Sequence, residues 1–548
     1  MFSVKVNNQV LEFEDKVTLK DLAKSLDVKC YVATVNNRLR ELDYYLNYNC
    51  EVEFLDLTSY DATKVYETSM RYLVIMALER INPKYKVKFT QSVSRSTAIE
   101  VNGEDDVSID EAFIKRLKEE MDSIIALDLP IKRKRLSIDE AIKLYEKEGY
   151  LDKIEVLKYR EEDYVNTYVC EEYVNYMFGY MVPSTGYLKD YNLKLYYPYI
   201  LLQLPRAEET GEIPAFEDSP SFGRMQKEAR DWSTMVGADS IANLNKQIEG
   251  NGAYELVNMC ETKHNNMLSE LGIRIKNDID NIRIIAIAGP SSSGKTTFSN
   301  RLRIELMTRG IKPVKISMDD YYLNRDFAPK DEFGEPDLEH INALDVELFN
   351  KHLLALVRGE EVQLPKFDFK IGKRVDGKKI RIPKNTPIII EGIHALNEEL
   401  TSLIPKHQKF KIYISPTAQI NIDNHNPISA TDIRMLRRMV RDWQFRKTRP
   451  SDTLGMWPSV RRGEFRWIYP FQEQADYIFN TELSYELGVI KKYALPILEA
   501  IDRNNEYFIQ ANRLVKFLKY FKDIDDSLVP CNSLLREFIG NSCFLEIH

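Results

Sequence analysis

The sequence has few of the features that mark secreted or membrane-spanning proteins. Its six cysteines are scattered and form no Cys-x-x-Cys pair, so neither a disulfide framework nor a zinc knuckle is indicated. The first residues, MFSVKVNNQV, contain no basic segment followed by an apolar one, and no apolar run approaches the ~20 residues that cross a bilayer. We therefore expect a cytoplasmic protein that has no membrane partner.

The sequence also lacks repeats, low-complexity tracts and a strong net charge. The formal charge of −8 over 548 residues argues against general affinity for nucleic-acid backbone, although a local basic surface is compatible with it. The hydrophobic fraction of 44% and the charged fraction of 29% are ordinary for a globular protein. A chain of this length is too long for one hydrophobic core, and we expect three or four domains.

The segment GPSSSGKTT is the strongest functional signal in the chain. It follows the apolar run Ile284–Ala288 and precedes a predicted helix over Thr297–Arg309, which is the context that the motif G-x-x-x-x-G-K-[ST] requires. Such a loop surrounds phosphate oxygens with backbone N–H groups, so we prefer nucleoside triphosphate binding to the alternative of a flexible Gly/Ser turn. Lys295 is expected to contact the β- and γ-phosphates, and Thr296 to bind Mg²⁺. The predicted nucleotide-binding residues are Gly289, Ser291, Ser292, Ser293, Gly294, Lys295, Thr296 and Thr297.

Two further apolar runs end in carboxylates. Val314–Met318 leads into Asp319 and Asp320, and Thr386–Ile390 leads into Glu391. Carboxylates at the carboxyl ends of parallel strands lie where open α/β sheets bind ligands. Asp319 can accept the proton of an attacking hydroxyl, although an Asp-rich turn explains the segment equally well. Glu391 could cap a turn, but beside a P-loop it is better explained as a ligand that holds Mg²⁺ directly or through water.

Arginines recur through the predicted helix Thr431–Asp442, at positions 434, 437, 438 and 441. Positions 434, 438 and 441 fall roughly on one face of the helix, with position 437 beside them. Such a face can form a lid that neutralises the charge of a triphosphate and excludes water. The alternatives are a solvated basic helix and an RNA-binding face. The neighbouring P-loop and carboxylates favour the lid.

In this order the motifs resemble those of the uridine kinase/phosphoribulokinase family, from residue 284 to about 498. The matching segments are GPSSSGKTT, ISMDDYY, LEHINALD, LPKFDF, IIIEGIHAL, RMLRRMVRD and YPFQEQADYIF. The resemblance implies an ATP- and Mg²⁺-dependent kinase that phosphorylates a nucleoside 5′-hydroxyl. It implies that Asp319 is the general base and that Lys295 and Arg437 offset the negative charge of the phosphate groups. It also implies that Thr296 and Glu391 hold the metal. The implied acceptor-binding residues are Tyr322, Glu339, Phe367, Asp368 and Arg434.

Two positions depart from the pattern of that family. Glu339 stands where the family has an aspartate, which lengthens the sugar-binding side chain by one methylene. Gly372 stands where the family has a histidine that contacts the pyrimidine. Loss of a polar contact to the base reduces discrimination between similar substrates. We predict a uridine- or cytidine-like acceptor and leave its identity open.

The first 60 residues resemble a TGS domain, the small β-grasp module of threonyl-tRNA synthetases and some GTPases. A hairpin is predicted from Phe2–Val6 and Val10–Phe13, and the following helix, TLKDLAKS, has Thr18 as its N-cap. Later short strands are predicted at Ala33–Val35 and Val52–Leu55. A β-grasp fold with no specific partner explains this pattern nearly as well. A TGS-bearing GTPase would need an Asn-Lys-x-Asp motif after the P-loop, and none occurs there.

Residues 61–210 resemble the second domain of threonyl-tRNA synthetase, a relative of the alanyl-tRNA synthetase editing domain. The segments VYETSMRYLVIMAL and EEYVNYMFGYMVP match the two metal-ligand frames of that family. At its four ligand positions this chain has Thr68, Tyr72, Met177 and Met181, which are poor ligands for Zn²⁺. We therefore predict the scaffold without deacylase activity. The basic run at positions 132–135 indicates a solvated strand edge, with nucleic-acid contact as the alternative.

Together these segments predict a multidomain chain of the α/β and α+β classes. The predicted units are a TGS-like β-grasp domain (1–60), a synthetase-editing-like α+β domain (61–210), a helical connector (211–279), a P-loop nucleoside kinase with a parallel sheet (280–500) and an amphipathic helical tail (501–548). Predicted partners are a small acceptor such as a nucleoside and RNA at the N-terminal half, and a homo-oligomer is compatible with the family. The alternative function is a tRNA- or RNA-binding regulator whose kinase domain senses nucleotide.

Overall fold

The computed structural model describes residues 1–7, 9–103, 107–330, 334, 337–368, 371–417 and 419–544. Asn8, in the first predicted turn, and Phe369, the last residue of LPKFDF, lie outside them. The described residues form a mixed α/β protein with several hydrophobic clusters.

The N-terminal unit is a mixed sheet with one helix, formed by β1 (Phe2–Val6), β2 (Gln9–Phe13), β3 (Val17–Thr18), α1 (Leu19–Ser25), β4 (Val32–Val35), β5 (Leu39–Arg40), β6 (Tyr45–Leu46) and β7 (Cys50–Leu55). The five-stranded sheet has the order β2-β1-β7-β4-β5. β1 and β2 form the predicted antiparallel hairpin, with Val4 opposite Leu11. The Thr18 hydroxyl accepts a hydrogen bond from the Asp21 N–H, so it caps α1 as predicted.

The second unit surrounds one long buried helix and consists of α2 (Tyr60–Ile81), β8 (Lys86–Val93), β9 (Ser96–Asn102), α3 (Glu111–Ala126), β10 (Lys132–Ser137), α4 (Ile138–Glu148), α5 (Leu151–Leu157), β11 (Tyr164–Cys170), β12 (Tyr173–Asn175), β13 (Asn192–Tyr196) and β14 (Tyr199–Gln203). Its two antiparallel sheets have the orders β13-β14-β9-β8 and β10-β11-β12. Residues 132–135 form the exposed edge strand that the basic run predicts. Ser137 and Glu140 form a capping box at the start of α4.

The four positions aligned with metal ligands are filled by buried side chains. Thr68, Tyr72, Met177 and Met181 are each at most 5% exposed. The two methionines belong to the hydrophobic cluster of this unit, and the Tyr72 hydroxyl lies 3.0 Å from the carbonyl oxygen of Tyr173. Within the described part of the chain, no group of three or more His, Cys, Asp or Glu side chains could hold a metal ion.

The remaining chain is formed by α6 (Pro220–Met235), α7 (Ile241–Gln247), α8 (Gly252–Asn277), β15 (Ile284–Ala288), α9 (Lys295–Thr308), β16 (Val314–Ser317), α10 (Val346–Val357), β17 (Glu361–Asp368), β18 (Lys373–Arg381), β19 (Ile388–Glu391), β20 (Lys409–Ser415), β21 (Asn421–Asp423), β22 (Asn426–Pro427), α11 (Ala430–Phe445), α12 (Pro450–Trp467), β23 (Tyr477–Asn480), α13 (Glu486–Glu499), α14 (Phe508–Leu518) and α15 (Arg536–Ile539). Five strands make a parallel sheet of order β16-β19-β15-β20-β23. All residues of β15 and β19 are buried, because helices cover both faces of a parallel sheet. The carboxyl ends of its strands therefore meet at one edge, where the predicted site lies.

The C-terminal segment packs against this sheet, as its apolar spacing predicts. Leu514, Phe517 and Leu518 of α14 are buried in the same hydrophobic cluster as α7, α8 and one face of the sheet. α15 packs against α11 through buried side chains such as Phe538. No helix of the described residues is long and apolar enough to cross a membrane.

Candidate active site

The P-loop has the backbone geometry of a phosphate-binding loop. Ser292 and Gly294 adopt positive φ angles of 60° and 89°, which turn successive backbone N–H groups toward a common point. The end of β15 passes so close to β20 that a Cβ atom on Gly289 would collide with the carbonyl oxygen of Ile414. This position therefore requires glycine. The loop leads directly into α9, whose N-terminus attracts anions.

Several polar groups of this loop have no hydrogen-bond partner within the described residues. The hydroxyl groups of Ser292, Ser293 and Thr297 are buried in this way. Buried hydroxyl groups are normally satisfied, so their state fits a site that is completed by phosphate oxygens. The Lys295 ammonium donates to the carbonyl oxygens of Gly289 and Pro290 at 3.0 and 3.1 Å, which holds it across the loop.

Two carboxylates converge beside Lys295 at the carboxyl edge of the sheet. β16 and β19 are neighbours, with Ser317 opposite Glu391, so Asp319 follows directly at the same edge. Burial, and then the nearby Asp319, raise the pKa of Glu391 to about 7. Burial also raises the pKa of Asp319, although Lys295, Arg446 and Arg441 oppose this rise. The edge thus brings the carboxylates of Asp319 and Glu391 close to the P-loop lysine.

A divalent cation fits this pair of carboxylates. Asp319 and Glu391 raise each other's energy when both are ionised, and a cation between them would relieve that repulsion. A P-loop metal needs few protein ligands, because phosphates and water supply the others. Thr296 follows Lys295 at the start of α9, which suits a hydroxyl ligand on the same ion.

Two predicted arginines of α11 point into the protein rather than over the site. The Arg437 side chain is fully buried, is ion-paired with Glu486, and donates to the carbonyl oxygen of Thr481 at 2.9 Å. Arg434 is ion-paired with the buried Glu464 and donates to the carbonyl oxygen of Ser291 at 3.1 Å. Both guanidinium groups also hold the P-loop backbone, because Arg437 donates to the carbonyl oxygen of Ser292 at 3.4 Å as Arg434 does to that of Ser291.

The other arginines of this segment, Arg438, Arg441 and Arg446, are ion-paired with the buried Asp442 and lie close enough to the site carboxylates to affect their pKa values. Arg438 donates to the Ser291 hydroxyl at 2.9 Å. Burial raises the pKa of Glu339 and Arg438 opposes part of that rise, just as Arg441 and Arg446 oppose the rise in the pKa of Asp319. Helical spacing alone placed positions 434, 438 and 441 on one face. It could not reveal which arginines meet buried carboxylates, because Glu464 and Glu486 lie on α12 and α13.

Three of the predicted acceptor residues, Tyr322, Glu339 and Phe367, lie close to one another near Asp319, whereas Arg434 is paired with Glu464. The rings of Tyr322 and Phe367 are 5.7 Å apart, and the Tyr322 hydroxyl donates to the carbonyl oxygen of Leu338 at 3.2 Å. Burial, Asp319 and Glu339 raise the pKa of Tyr322 well above its usual value. Asp368 ends β17, and Gly372 lies in the following turn with a φ of 66°.

One further contact at the P-loop comes from α15, and no motif in the sequence indicates it. The Thr297 N–H donates to Glu537 Oε2 at 2.9 Å, across 240 residues of chain. A Cβ atom on Gly294 would lie 2.6 Å from Leu534 Cδ2, so the same segment also covers the loop glycine. The only sequence signal was the tail's apolar spacing, which predicts packing but not which strand end it reaches.

The N-terminal half of the chain is similar to threonine–tRNA ligases. The ligase of Carboxydothermus hydrogenoformans is 31% identical over 199 residues, which cover 35% of this chain and 31% of the ligase. This chain therefore spans about a third of the length of that relative.

The second similarity covers the parallel sheet and its site. Residues 284–484 match the model of the phosphoribulokinase/uridine kinase family. The uridine kinase of Borrelia duttonii is 34% identical over 200 residues, which cover 36% of this chain and 85% of that enzyme. A solved structure described as a possible uridine kinase from Bacillus stearothermophilus has 17% identity and a TM-score of 0.26, over 38% of this chain and 100% of that one. Through residues 284–484, the chain belongs to the phosphoribulokinase/uridine kinase family.

Proposed function

We propose that the chain transfers the γ-phosphoryl group of ATP to the 5′-hydroxyl of a uridine- or cytidine-like nucleoside. The observation that carries this proposal is the meeting of the P-loop lysine with Asp319 and Glu391 at one sheet edge. The family similarity supports a kinase acting on a small molecule, and the uridine kinase relatives favour a nucleoside.

In this mechanism the chain contributes positioning, proton acceptance and charge stabilisation. Asp319 accepts the proton of the attacking hydroxyl, and its raised pKa makes it a better base at neutral pH. Lys295, Arg438 and Arg441 stabilise the charge that develops on the transferred phosphoryl group. The predicted catalytic Arg437 and the predicted substrate contact Arg434 would act through the P-loop carbonyl groups that they hold.

Mg²⁺ held by Thr296 and Glu391 would neutralise phosphate charge when it is bound. The remaining predicted nucleotide contacts come from Gly289, Ser291, Ser292, Ser293, Gly294 and Thr297. Tyr322, Glu339, Phe367 and Asp368 would enclose the acceptor, with Glu339 on its hydroxyl groups. A cytoplasmic location is part of the same proposal, since ATP is the phosphoryl donor.

The test is ATP turnover by the full chain against a panel of nucleosides and small sugars in the presence of Mg²⁺. We expect turnover with a pyrimidine nucleoside and a product phosphorylated at the 5′ position, identified by ³¹P–¹H NMR. Lys295→Ala should abolish it, and Lys312→Ala, an exposed lysine after α9, should not. Transfer to a sugar alone, or ATP hydrolysis that no acceptor accelerates, would contradict the nucleoside assignment.

RNA binding by the N-terminal half is a second candidate, favoured by the ligase similarity and by the exposed basic edge β10. We propose that this half combines a TGS-like unit with a synthetase-editing-like scaffold that has lost its metal ligands. Mobility shift with total tRNA across salt concentrations tests it. Binding should weaken when Lys132 and Lys134 are changed to Gln, and not with Lys115→Gln and Lys118→Gln on α3.

A further inference from the structure

A cavity of about 560 Å³ lies where β5, α2, the sheet of β10 and β11, the start of α11 and α14 meet. We call it the central cavity. Its volume is within the range of roughly 300–1,000 Å³ that is typical of small-molecule sites. None of its described lining residues belongs to the P-loop or to the predicted catalytic and acceptor residues. Any ligand of this cavity is therefore distinct from the nucleotide at the P-loop.

The wall of the central cavity is basic, although the whole chain is acidic. Ten lining side chains are Arg or Lys and five are Asp or Glu, in a chain of net charge −8. The acidic groups are already shared among several cations. Glu67 lies 3.3 Å from Lys64 and 3.7 Å from Arg71, and Arg206 approaches it as well. The surplus of positive charge favours an anionic ligand.

Several arginines of this wall have unsatisfied hydrogen-bond donors. Arg40, Arg71, Arg160 and Arg513 each bury an Nε–H group that has no acceptor among the described residues. Arg71 is only 7% exposed, so water does not solvate its guanidinium freely. Buried donors are normally paired, and the oxygen atoms of a bound anion would supply acceptors with small side-chain shifts. Arg513 is paired with Asp432 and Arg71 with Glu67, so the Nε–H groups are the donors that remain for the oxygen atoms of an anion.

Aromatic rings line the same wall. Arg133 lies over the ring of Tyr180 at 5.2 Å, and Arg160 lies over the ring of Tyr176 at 5.7 Å. Tyr164 and Tyr520 also line the cavity. Aromatic faces and guanidinium planes are the groups on which nucleobases stack. The wall thus offers partners for both a phosphate and a flat ring.

We propose that the central cavity is a second nucleotide site, which binds a small ligand that carries phosphate groups and an aromatic base. Its walls come from the N-terminal half, from α11 and from α14, so the site exists only in the assembled chain. Arg38 and Lys516 line it, and neither side chain has an ion pair or hydrogen bond within the described residues. Their charges are the ones that a ligand would neutralise most directly.

The test is photolabelling of the full chain with 8-azido-ADP, followed by mapping of the labelled peptides by mass spectrometry. We expect label in residues 159–180 or 503–520, in addition to any label near the P-loop. Lys295→Ala should leave the label in the central cavity. Label confined to peptides around the P-loop, or cavity label lost with Lys295→Ala, would overturn the proposal.

The double variant Arg38→Gln/Lys516→Gln should reduce the cavity label at least tenfold at subsaturating probe. The matched variant Arg116→Gln/Lys118→Gln, which removes two exposed charges from α3, should not change it. Unlabelled ADP should compete better than either inorganic pyrophosphate or adenosine. Equal competition by pyrophosphate would contradict a nucleotide, and equal loss in both double variants would contradict a localised site.

Discussion

The Glu537 carboxylate accepts a hydrogen bond from a backbone N–H group that would otherwise be available to a phosphate group. The Thr297 N–H belongs to the first turn of α9, where helix N-termini bind phosphate groups. Glu537 is 6% exposed. Burial lowers the pKa of Lys295, and the nearby Glu537 carboxylate opposes this effect. If ATP binds at the P-loop as proposed, the tail would compete with it for the same donor, and the charge of Glu537 would repel the incoming phosphate.

We expect Glu537→Gln to increase ATP affinity roughly tenfold, because it removes a like charge at short range. Calorimetric titration with ATP measures this. Glu506→Gln, an exposed residue of the same tail, should leave the dissociation constant unchanged. An unchanged or weaker affinity in Glu537→Gln would show that the carboxylate does not oppose ATP.

His394 is a buried histidine that resists protonation. It is 1% exposed, and burial lowers its pKa to about 4. The unfolded chain binds the proton near pH 6.5 and the folded chain does not, so stability is lost as pH falls from 6.5 toward 4. This one group contributes on the order of 3 kcal/mol to that loss.

Unfolding free energies measured from pH 7 to 4 should therefore fall less steeply in His394→Gln than in the unmodified protein. The comparison concerns the slope, because the substitution also changes packing. His407→Gln, at an exposed position, should keep the original slope. Identical slopes in all three proteins would contradict the assigned pKa shift.

At the scale of elements, α11 has two arginine faces with different roles. Arg437 is paired with the buried Glu486, so Arg437→Met should destabilise the protein by about 3–5 kcal/mol. Arg441 pairs with Asp442 and lowers the otherwise raised pKa of Asp319, so we expect Arg441→Gln to reduce kcat about 10–100-fold. Its unfolding free energy should stay within about 0.5 kcal/mol of the original.

Urea unfolding and initial rates on the same two variants separate these roles. A stable Arg437→Met protein that lacks activity would restore the catalytic role that the family resemblance implies for Arg437. Full activity in Arg441→Gln would remove this residue from the site.

At the scale of the whole molecule, local patterns predicted the elements but not their long-range contacts. The apolar runs before the P-loop, Asp319 and Glu391 identified three neighbouring strands, because parallel strands are buried on both faces. The N-cap at Thr18 could also be predicted, since it depends on residues within one turn of the helix.

The missed features join distant parts of the chain. Glu537 reaches Thr297 across 240 residues, and the walls of the central cavity come from both halves of the chain. Which arginines of α11 point into the protein depends on Glu464 and Glu486, which lie on other helices. Sequence spacing contains no information about such contacts, because tertiary packing selects them.

The most direct measurement of the central claim compares Asp319→Asn with Asp320→Asn in phosphoryl transfer from ATP to the preferred nucleoside. Asp320 is the matched control, because it is the adjacent carboxylate and accepts a hydrogen bond from the Phe367 N–H at 3.2 Å. We predict that Asp319→Asn lowers kcat about 10²–10⁴-fold with little change in ATP affinity, as loss of a general base requires. Asp320→Asn should retain kcat within about tenfold. Equal rates in the two variants, or full transfer by Asp319→Asn, would contradict the proposed kinase site.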